Sequence, residues 1–547
     1  MILTRYSATL FNNSYLCKSQ PVKSTLKLNP KLIALKFKFT TGYPLLYLLI
    51  ISSVVRALLA AGFCLGNDEA YYYTYALYPA LSHFDHPPMV GWVIQLFSLN
   101  LNFSSEFFIR LAALVAGTVN TWLMFAIGRQ LRDELTGWYA ALLYTASIYG
   151  FVIVGIFILP DSPQSVFWLS AILLLLKAFQ GEIDANAKRR FLLASVFMGL
   201  AFLSKYTTAY LWLGMIIYTL AYNRKWLTTK VFYLAHLVMA ILFLPVIIWN
   251  AQNEFVSFLF HSSRVGPSVS SFTPDYFLTE ILGEALYTNP VILVMIAIAV
   301  VAFFKHKFKD EKPQIALLVW SALPLIATFL IVSIFRRTLP HWNGAGYMTL
   351  LPLAALWLRN RSEMVFPSAI KGSLTFMVVL IVLSLAQVIT GFIPIEKFVK
   401  TTGGKGSADY SLEVYGWRQL REKFILLGDN YEKAGLMPAG APIVSYRWFP
   451  AANYSYYAAR GTDRFVMAAG DTSEIHKYVW INQVHGGFRL NSDAWYITSS
   501  RDFRHPRSMN QTYYEKVLPP DTISIMQMGK PAYYFYVYRL KNLQSKR

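Results

Sequence analysis

Few of the residues that soluble folds rely on are present. Charged residues fill only 14% of the 547 positions, where an ordinary soluble domain has about 25%. Acids are the scarcer sign, 29 Asp and Glu against 50 Lys and Arg. The first 40 residues hold seven Lys or Arg and no acid. That stretch also lacks a long apolar run. This excludes a secretory signal peptide and suits a basic lead-in lying against an anionic membrane face. The two cysteines, Cys17 and Cys64, stand at opposite ends of the first apolar run. They exclude a disulfide framework and a cysteine-based zinc site. A glycine-rich run at 403–406 lacks the strand-then-helix surroundings of a phosphate loop and reads as a turn or linker.

What abounds is apolar and aromatic surface, 55% and 16% of the chain, with a mean hydropathy of +0.39. Apolar runs of roughly 18 to 25 residues recur, each long enough to cross about 30 Å of hydrocarbon as a helix. The bilayer offers backbone amides no partner, so such runs are helical. Eleven spans are expected, near 43–64, 107–128, 138–158, 163–179, 191–204, 206–222, 231–249, 290–304, 315–335, 344–358 and 372–392.

The net charge of +21 suggests nucleic acid only until the basic residues are placed. Arg129 and Arg132, then Lys188, Arg189 and Arg190, then Arg224, Lys225 and Lys230, then Lys305, Lys307, Lys309 and Lys312, then Arg359, Arg361 and Lys371 fall in alternate short loops. With eleven spans they share one side with the N-terminus, the cytoplasmic side by the positive-inside rule. The organisation expected is a basic N-terminal segment (1–42), an all-α polytopic module (43–393) and a small extracytoplasmic α/β domain (394–547).

The opposite face receives the loops 65–106, 159–162, 250–289 and 336–343, the break at Lys205, and the tail. They carry Asp68-Glu69, His83-Phe84-Asp85-His86, Asp161, His261, Arg264 and Arg336-Arg337. Singly, most have ordinary explanations. Asp161 can cap a helix, Lys205 can snorkel, and Asp68-Glu69 can mark a helix meeting water. The run Tyr71-Tyr72-Tyr73 and Trp92 fit an interfacial belt as readily as a sugar contact. Arg336 and Arg337, however, run against the charge trend. Gathered at one face, these groups suit one chemistry. A carboxylate takes the proton of an acceptor, arginine or lysine binds a departing phosphate, and a divalent cation can sit between carboxylate and histidine.

The ordered set Asp68-Glu69, Asp85-His86-Pro87-Pro88, Leu159-Pro160-Asp161, Leu203-Ser204-Lys205-Tyr206-Thr207 and Pro340-His341-Trp342 resembles the GT-C glycosyltransferases. The branch is that of protein O-mannosyltransferases and lipid A aminoarabinose transferases, and the resemblance covers roughly residues 44–345. It implies a GT-C membrane bundle that moves a monosaccharide from a polyprenyl-phosphate carrier to a lipid, glycan or protein acceptor, with inversion, on the extracytoplasmic side of a bacterial inner membrane. By the same resemblance Asp68 is the acceptor-side base, with Glu69 and Asp161 tuning it. Arg264 contacts the carrier phosphate, aided by His86, Lys205, Arg336 and Arg337. Asp85 and His261 are the positions for a divalent metal cation, and no organic cofactor is expected. One departure stands out: the aminoarabinose branch has a lysine after the Asp85 position, where this chain has His86. The rival reading is a transporter or flippase of a lipid-linked or anionic substrate. Such proteins carry ionisable groups inside their spans, where this chain has mainly Arg56.

Overall fold

Each of the eleven apolar runs becomes helix. The structure, a computed structural model, describes residues 42–265, 273–308, 311–509 and 512–546, so Cys17 and the basic lead-in lie outside the described residues. The bundle comprises α1 (Gly42–Gly62), α2 (Asn67–Leu77), α3 (Met89–Phe97), α4 (Glu106–Leu131), α5 (Glu134–Ala146), α6 (Asp161–Ala178), α7 (Ala185–Phe202), α8 (Ala209–Tyr222), α9 (Lys230–Gln252), α10 (Val256–Val265), α11 (Pro274–Thr288), α12 (Pro290–Phe304), α13 (Lys312–Ser333), α14 (Gly344–Arg359) and α15 (Ser368–Thr390).

Among the described residues five helices, α1, α4, α9, α13 and α15, are long and apolar enough to cross a membrane singly. The protein is an integral membrane protein with several spans. Burial sorts the five. In α4, 72% of the apolar window is covered by protein, against 17% in α1 and 22% in α9 and α15. So α4 is central and the other three face lipid. α5, α6, α7, α8 and α14 are shorter and contribute to one continuous core. α11 and α12 meet at a bend of 101°. The corner is Asn289, at φ +85°, whose side chain donates to the carbonyls of Ala146 (3.0 Å) and Ser373 (2.9 Å). Arg56, fully buried in α1, lies over the Phe151 ring at 4.4 Å and donates to the Phe151 carbonyl at 3.3 Å. Gly155 leaves room for it, since a Cβ there would lie 2.7 Å from Arg56 Nε. It is a packing residue between α1 and the loop before α6.

The basic loops meet one another, as when Arg359 Nε reaches Asp133 Oδ2 at 2.9 Å. The loops rich in acids and histidines meet at the other end of the bundle. There the Met89 amide donates to the Leu203 carbonyl (3.0 Å) and Ser257 Oγ to the His83 carbonyl (2.9 Å). Two stretches expected as loops, 65–106 and 250–289, instead hold α2, α3, α10 and α11. Their apolar segments are too short to span singly, so hydropathy did not reveal them.

The tail forms α16 (Trp417–Lys433), α17 (Trp448–Tyr454), α18 (Thr472–Ile475) and α19 (Tyr478–Val484) around a six-stranded mixed sheet. Its strands are β1 (Ile443–Ser445), β2 (Val466–Ala468), β3 (Ala494–Ser499), β4 (Thr512–Val517), β5 (Asp521–Gln527) and β6 (Lys530–Lys546). The order is β2-β1-β3-β6-β4, with β5 also on β6. β1 runs parallel to β2 and β3, while β3, β4 and β5 pair antiparallel with β6. The 403–406 run is a turn packed on Ser500 and Arg501. One core joins the tail to the loop helices: Tyr71, Tyr73 and Tyr75 of α2 and Ile94 of α3 pack with Trp417, Tyr456, Trp495 and Phe535.

Candidate active site

α2 begins where the chain leaves α1, and two adjacent acids in its first turn have opposite fates. Both suit the positive end of the helix dipole. Glu69 is only 2% exposed and pairs bidentately with Arg110 of α4, Nε to Oε1 at 2.7 Å and Nη2 to Oε2 at 2.5 Å. It also accepts from the Gly66 amide (2.9 Å) and the Ile158 amide (3.1 Å). Arg110 spends its other N–H groups on the carbonyls of Ala60, Phe63 and Cys64. A buried ion pair with every partner satisfied holds the backbone rigidly and leaves neither charge for chemistry.

Asp68 points the other way. Its tip is open and makes no hydrogen bond or ion pair with any described residue. Protein around it nevertheless displaces part of its hydration. That burial, with the like charges of Asp85, Glu413, Glu69 and Asp161, pushes its carboxyl up to about 7. An unpaired carboxylate balanced near neutrality is suited to accept a proton.

The walls come from four segments. Asp85 accepts from the hydroxyls of Tyr71 (3.0 Å) and Tyr75. Burial pushes Asp85 up, but the imidazoles of His86 and His476 and those two hydroxyls outweigh it and hold it below the usual carboxylate range. His86 is driven down to about 3, chiefly by burial, so it is a neutral imidazole. Asp161 opens α6 and receives Lys205 Nζ on both oxygens at 2.8 Å, with the Tyr149 hydroxyl at 2.8 Å. Lys205, expected at the donor phosphate, therefore has its charge matched by Asp161. His341 faces this pair and is held down to about 4 by burial and by Lys205. From the tail, Lys477 donates to the carbonyls of Thr74 (3.0 Å) and Tyr78 (2.6 Å), closing the C-terminal end of α2, and lies over the Tyr75 ring at 4.6 Å.

A second pole lies beyond the Pro340–Asn343 turn. His341 looks to Asp161, and its neighbour Trp342 lies 5.2 Å from the Arg264 guanidinium, which also sits 5.0 Å from Phe260. Arg336 donates to the Ser263 carbonyl. Arg264, Arg336 and Arg337, with Tyr276 and Trp342, line an open cavity of about 500 Å³. Neither Arg264 nor Arg337 has an acidic partner among the described residues. α11 supports this turn from beneath. Thr338 Oγ1 donates to Glu280 (2.7 Å), and Tyr347 (2.7 Å) and Asn343 donate to Glu284. Gly283 admits Pro340, since a Cβ there would lie 2.2 Å from its Cγ.

At Asp85 and His261, where a cation was expected, the His261 Nε2 lies 2.6 Å from the main-chain oxygen of Asp85, so that nitrogen carries the proton. The Asp85 carboxylate faces the two tyrosines instead. Among the described residues no group of three His, Cys, Asp or Glu side chains converges on one point.

The structure thus brings Asp68, Asp85, His86, Asp161, Lys205 and His261 to one basin, and Arg264, Arg336 and Arg337 to one adjoining cavity. Sequence reasoning missed Arg110, hidden in an apolar span, and Tyr75, and left Tyr71 open between an interfacial belt and a sugar contact. It also missed Glu280 and Glu284, which sit in a stretch read as loop, and Glu413 and Lys477, which sit in a tail without motif.

Comparison with known proteins bears on both fold and site. The sequence model of the dolichyl-phosphate-mannose-protein mannosyltransferase family matches residues 85–249, which holds the Asp85–His86, Asp161 and Lys205 segments. The lipid A galacturonosyltransferase RgtD of Rhizobium johnstonii is 24% identical over 316 residues, 56% of this chain, and the match spans 63% of that relative's length. ArnT of Cupriavidus metallidurans superimposes over 91% of this chain and 98% of its own. The TM-score is 0.59 at 15% identity with undecaprenyl phosphate bound, and 0.58 at 14% identity in the apo state. The fold is therefore that of ArnT, a polytopic helical bundle with a β-containing C-terminal domain. The GT-C resemblance read from the sequence motifs is borne out.

Proposed function

We propose that this protein is a membrane glycosyltransferase that moves one monosaccharide from a polyprenyl-phosphate carrier to a lipid acceptor. The observation that carries the reading is the pair of unlike poles: an unpaired carboxylate, Asp68, raised to about 7, and across the Pro340–Asn343 turn a cavity whose Arg264 and Arg337 lack acidic partners. The family match, the likeness to RgtD and the ArnT fold support the same chemistry.

In the reaction an acceptor hydroxyl attacks the anomeric carbon from the Asp68 side and its proton passes to Asp68. The bond from that carbon to the phosphate oxygen breaks, and polyprenyl phosphate leaves with its charge held by Arg264, assisted by Arg336 and Arg337. A single displacement of this kind inverts the anomeric centre. Glu69 and Arg110 hold the α2 start, and Asp161 with Lys205 and Tyr149 holds the far wall. His86 and His341, both neutral, contribute shape rather than charge. No step draws on a cation.

A lipid acceptor is favoured by an apolar groove of about 200 Å³ between α1, the Tyr149–Ile153 segment and α15. Phe63, Arg110 and Val414 are among its lining residues. The positive-inside pattern supports a basin on the extracytoplasmic face, where a carrier lipid can deliver a sugar that nucleotide donors cannot.

The test uses purified protein in nanodiscs with a pool of polyprenyl-phosphate sugars and a lipid extract as acceptor. Mass spectrometry follows free polyprenyl phosphate and acceptor mass. Release that depends on Asp68 supports the transferase. With the donor pool proven by a known transferase, no release overturns it in favour of a transporter, to be pursued by flux assays.

A further inference from the structure

α11 presents one stripe to the turn that lies between the two poles. Glu280, Gly283, Glu284 and Tyr287 stand at i, i+3, i+4 and i+7, one face of a helix. Each of them meets the segment 338–347. Gly283 receives the Pro340 ring, since a Cβ there would lie 2.2 Å from Pro340 Cγ. The Tyr287 ring lies 6.2 Å from the His341 ring. The two glutamates are buried, and all four of their carboxylate oxygens accept from this one segment. Thr338 Oγ1 donates to Glu280 Oε2 (2.7 Å), and Asn343 Nδ2 donates to Glu280 Oε1 (3.4 Å). The same Asn343 amide donates to Glu284 Oε1, and the Tyr347 hydroxyl donates to Glu284 Oε2 (2.7 Å).

Neither glutamate forms an ion pair with a described residue. Two carboxylates one helical turn apart repel each other, and burial without a counter-charge is costly. The neutral donors of the 338–347 segment offset that cost, so the glutamates and the turn stabilise each other in one arrangement. That arrangement places Trp342. Its ring lies 5.3 Å from the Phe329 ring and 5.2 Å from the Arg264 guanidinium. Arg264 has no acidic partner among the described residues, and the two rings beneath it are those of Trp342 and Phe260. Where Trp342 stands therefore bears on where the guanidinium stands.

We infer that Glu280 and Glu284 are positioning residues of the phosphate-binding cavity: by holding the segment 338–347 they set Trp342, and through it aim Arg264 at the phosphate of the carrier lipid. Both act through the turn and not on substrate. The inference deepens the transferase reading and rests on its assignment of Arg264 to the carrier phosphate. Its physical core can be measured without sugar transfer.

The measurement is binding of undecaprenyl phosphate, with undecaprenol as the phosphate-free control, to the full chain in nanodiscs by native mass spectrometry. The wild type should prefer the phosphate, and Arg264→Ala should remove most of that preference. Glu284→Ala should weaken undecaprenyl phosphate by about three- to tenfold and leave undecaprenol unchanged. Glu284→Gln, which keeps one acceptor oxygen, should recover part of the loss. Added to Arg264→Ala, Glu284→Ala should cost little more, because both act on one contact. Equal weakening of the two lipids, or full additivity with Arg264→Ala, marks a purely structural role and would overturn the inference. Should Glu284→Ala not fold, Tyr347→Phe removes one donor from the other side and should show the same pattern at smaller size; an unmoved preference there overturns it equally. A wild type that binds as expected but transfers no sugar sinks the transferase reading alone. A wild type without a phosphate preference sinks the assignment of Arg264 and this inference with it.

Discussion

The two poles of the basin are built on opposite plans. At the carboxylate pole almost every charge has a dedicated partner: Glu69 with Arg110, Asp161 with Lys205, Asp85 with two tyrosine hydroxyls. One acid, Asp68, is left over. At the arginine pole Arg264 and Arg337 have no acidic partner among the described residues and rest against aromatics and an open cavity. A paired charge is a beam, whereas an unpaired one is held ready for something that arrives. The contrast separates residues with committed charges from residues with free ones, and it does so for neighbours in sequence as sharply as for distant segments.

Breaking the carboxylate pole should have the largest effect. Asp68→Asn should lower turnover by about 10²–10⁴-fold with the fold intact, read as polyprenyl phosphate released alongside an unchanged melting curve. Near-normal turnover would remove Asp68 from the chemistry. Its neighbour should behave differently. Glu69→Gln strands Arg110 and should cost about 3–5 kcal/mol of stability, seen as a lower unfolding midpoint in detergent; a variant as stable as wild type, with turnover lost, would make Glu69 a reacting group.

At the arginine pole Arg264→Ala should weaken donor binding by about tenfold or more, in line with a lost charged hydrogen bond. Acceptor KM should change little. Equal loss on both substrates would mean that the pole does not discriminate phosphate.

The pH profile sharpens the comparison further. Asp68 must be deprotonated to act, and its pKa is raised to about 7, so kcat/KM should climb as pH rises through that value. A plateau already reached at pH 5 would mean that Asp68 is an ordinary exposed acid. The smallest effect is expected at His86, which is neutral above about 3. His86→Asn should leave the acid limb where it is and change the rate only modestly; a limb that moves would give the imidazole a charge it is not expected to carry.

Much of this was legible in the chain. Apolar length located all eleven helical runs, because a bilayer forces long apolar segments into helices. The motif around Asp161 and the Lys205 break foretold groups that meet, since both stand at helix ends emerging on one face. Which of Asp68 and Glu69 would stay free was not legible. The answer lies in Arg110, forty-one positions later inside a span, and a side chain's direction within a helix depends on what packs against it. The four short helices were hidden for a different reason, their apolar stretches being too short to span.

Sequence and structure therefore divide the work along a physical line. Composition and loop charge were enough to establish a polytopic membrane protein and the face on which its chemistry gathers, because hydrophobic length and charge position act through the solvent. Partner choice acts through space. Only folding matched Asp161 to Lys205 and Glu69 to Arg110, and left Arg264 on an open cavity. Electrostatic partners are set by distances of a few ångströms between residues that the chain keeps tens of positions apart.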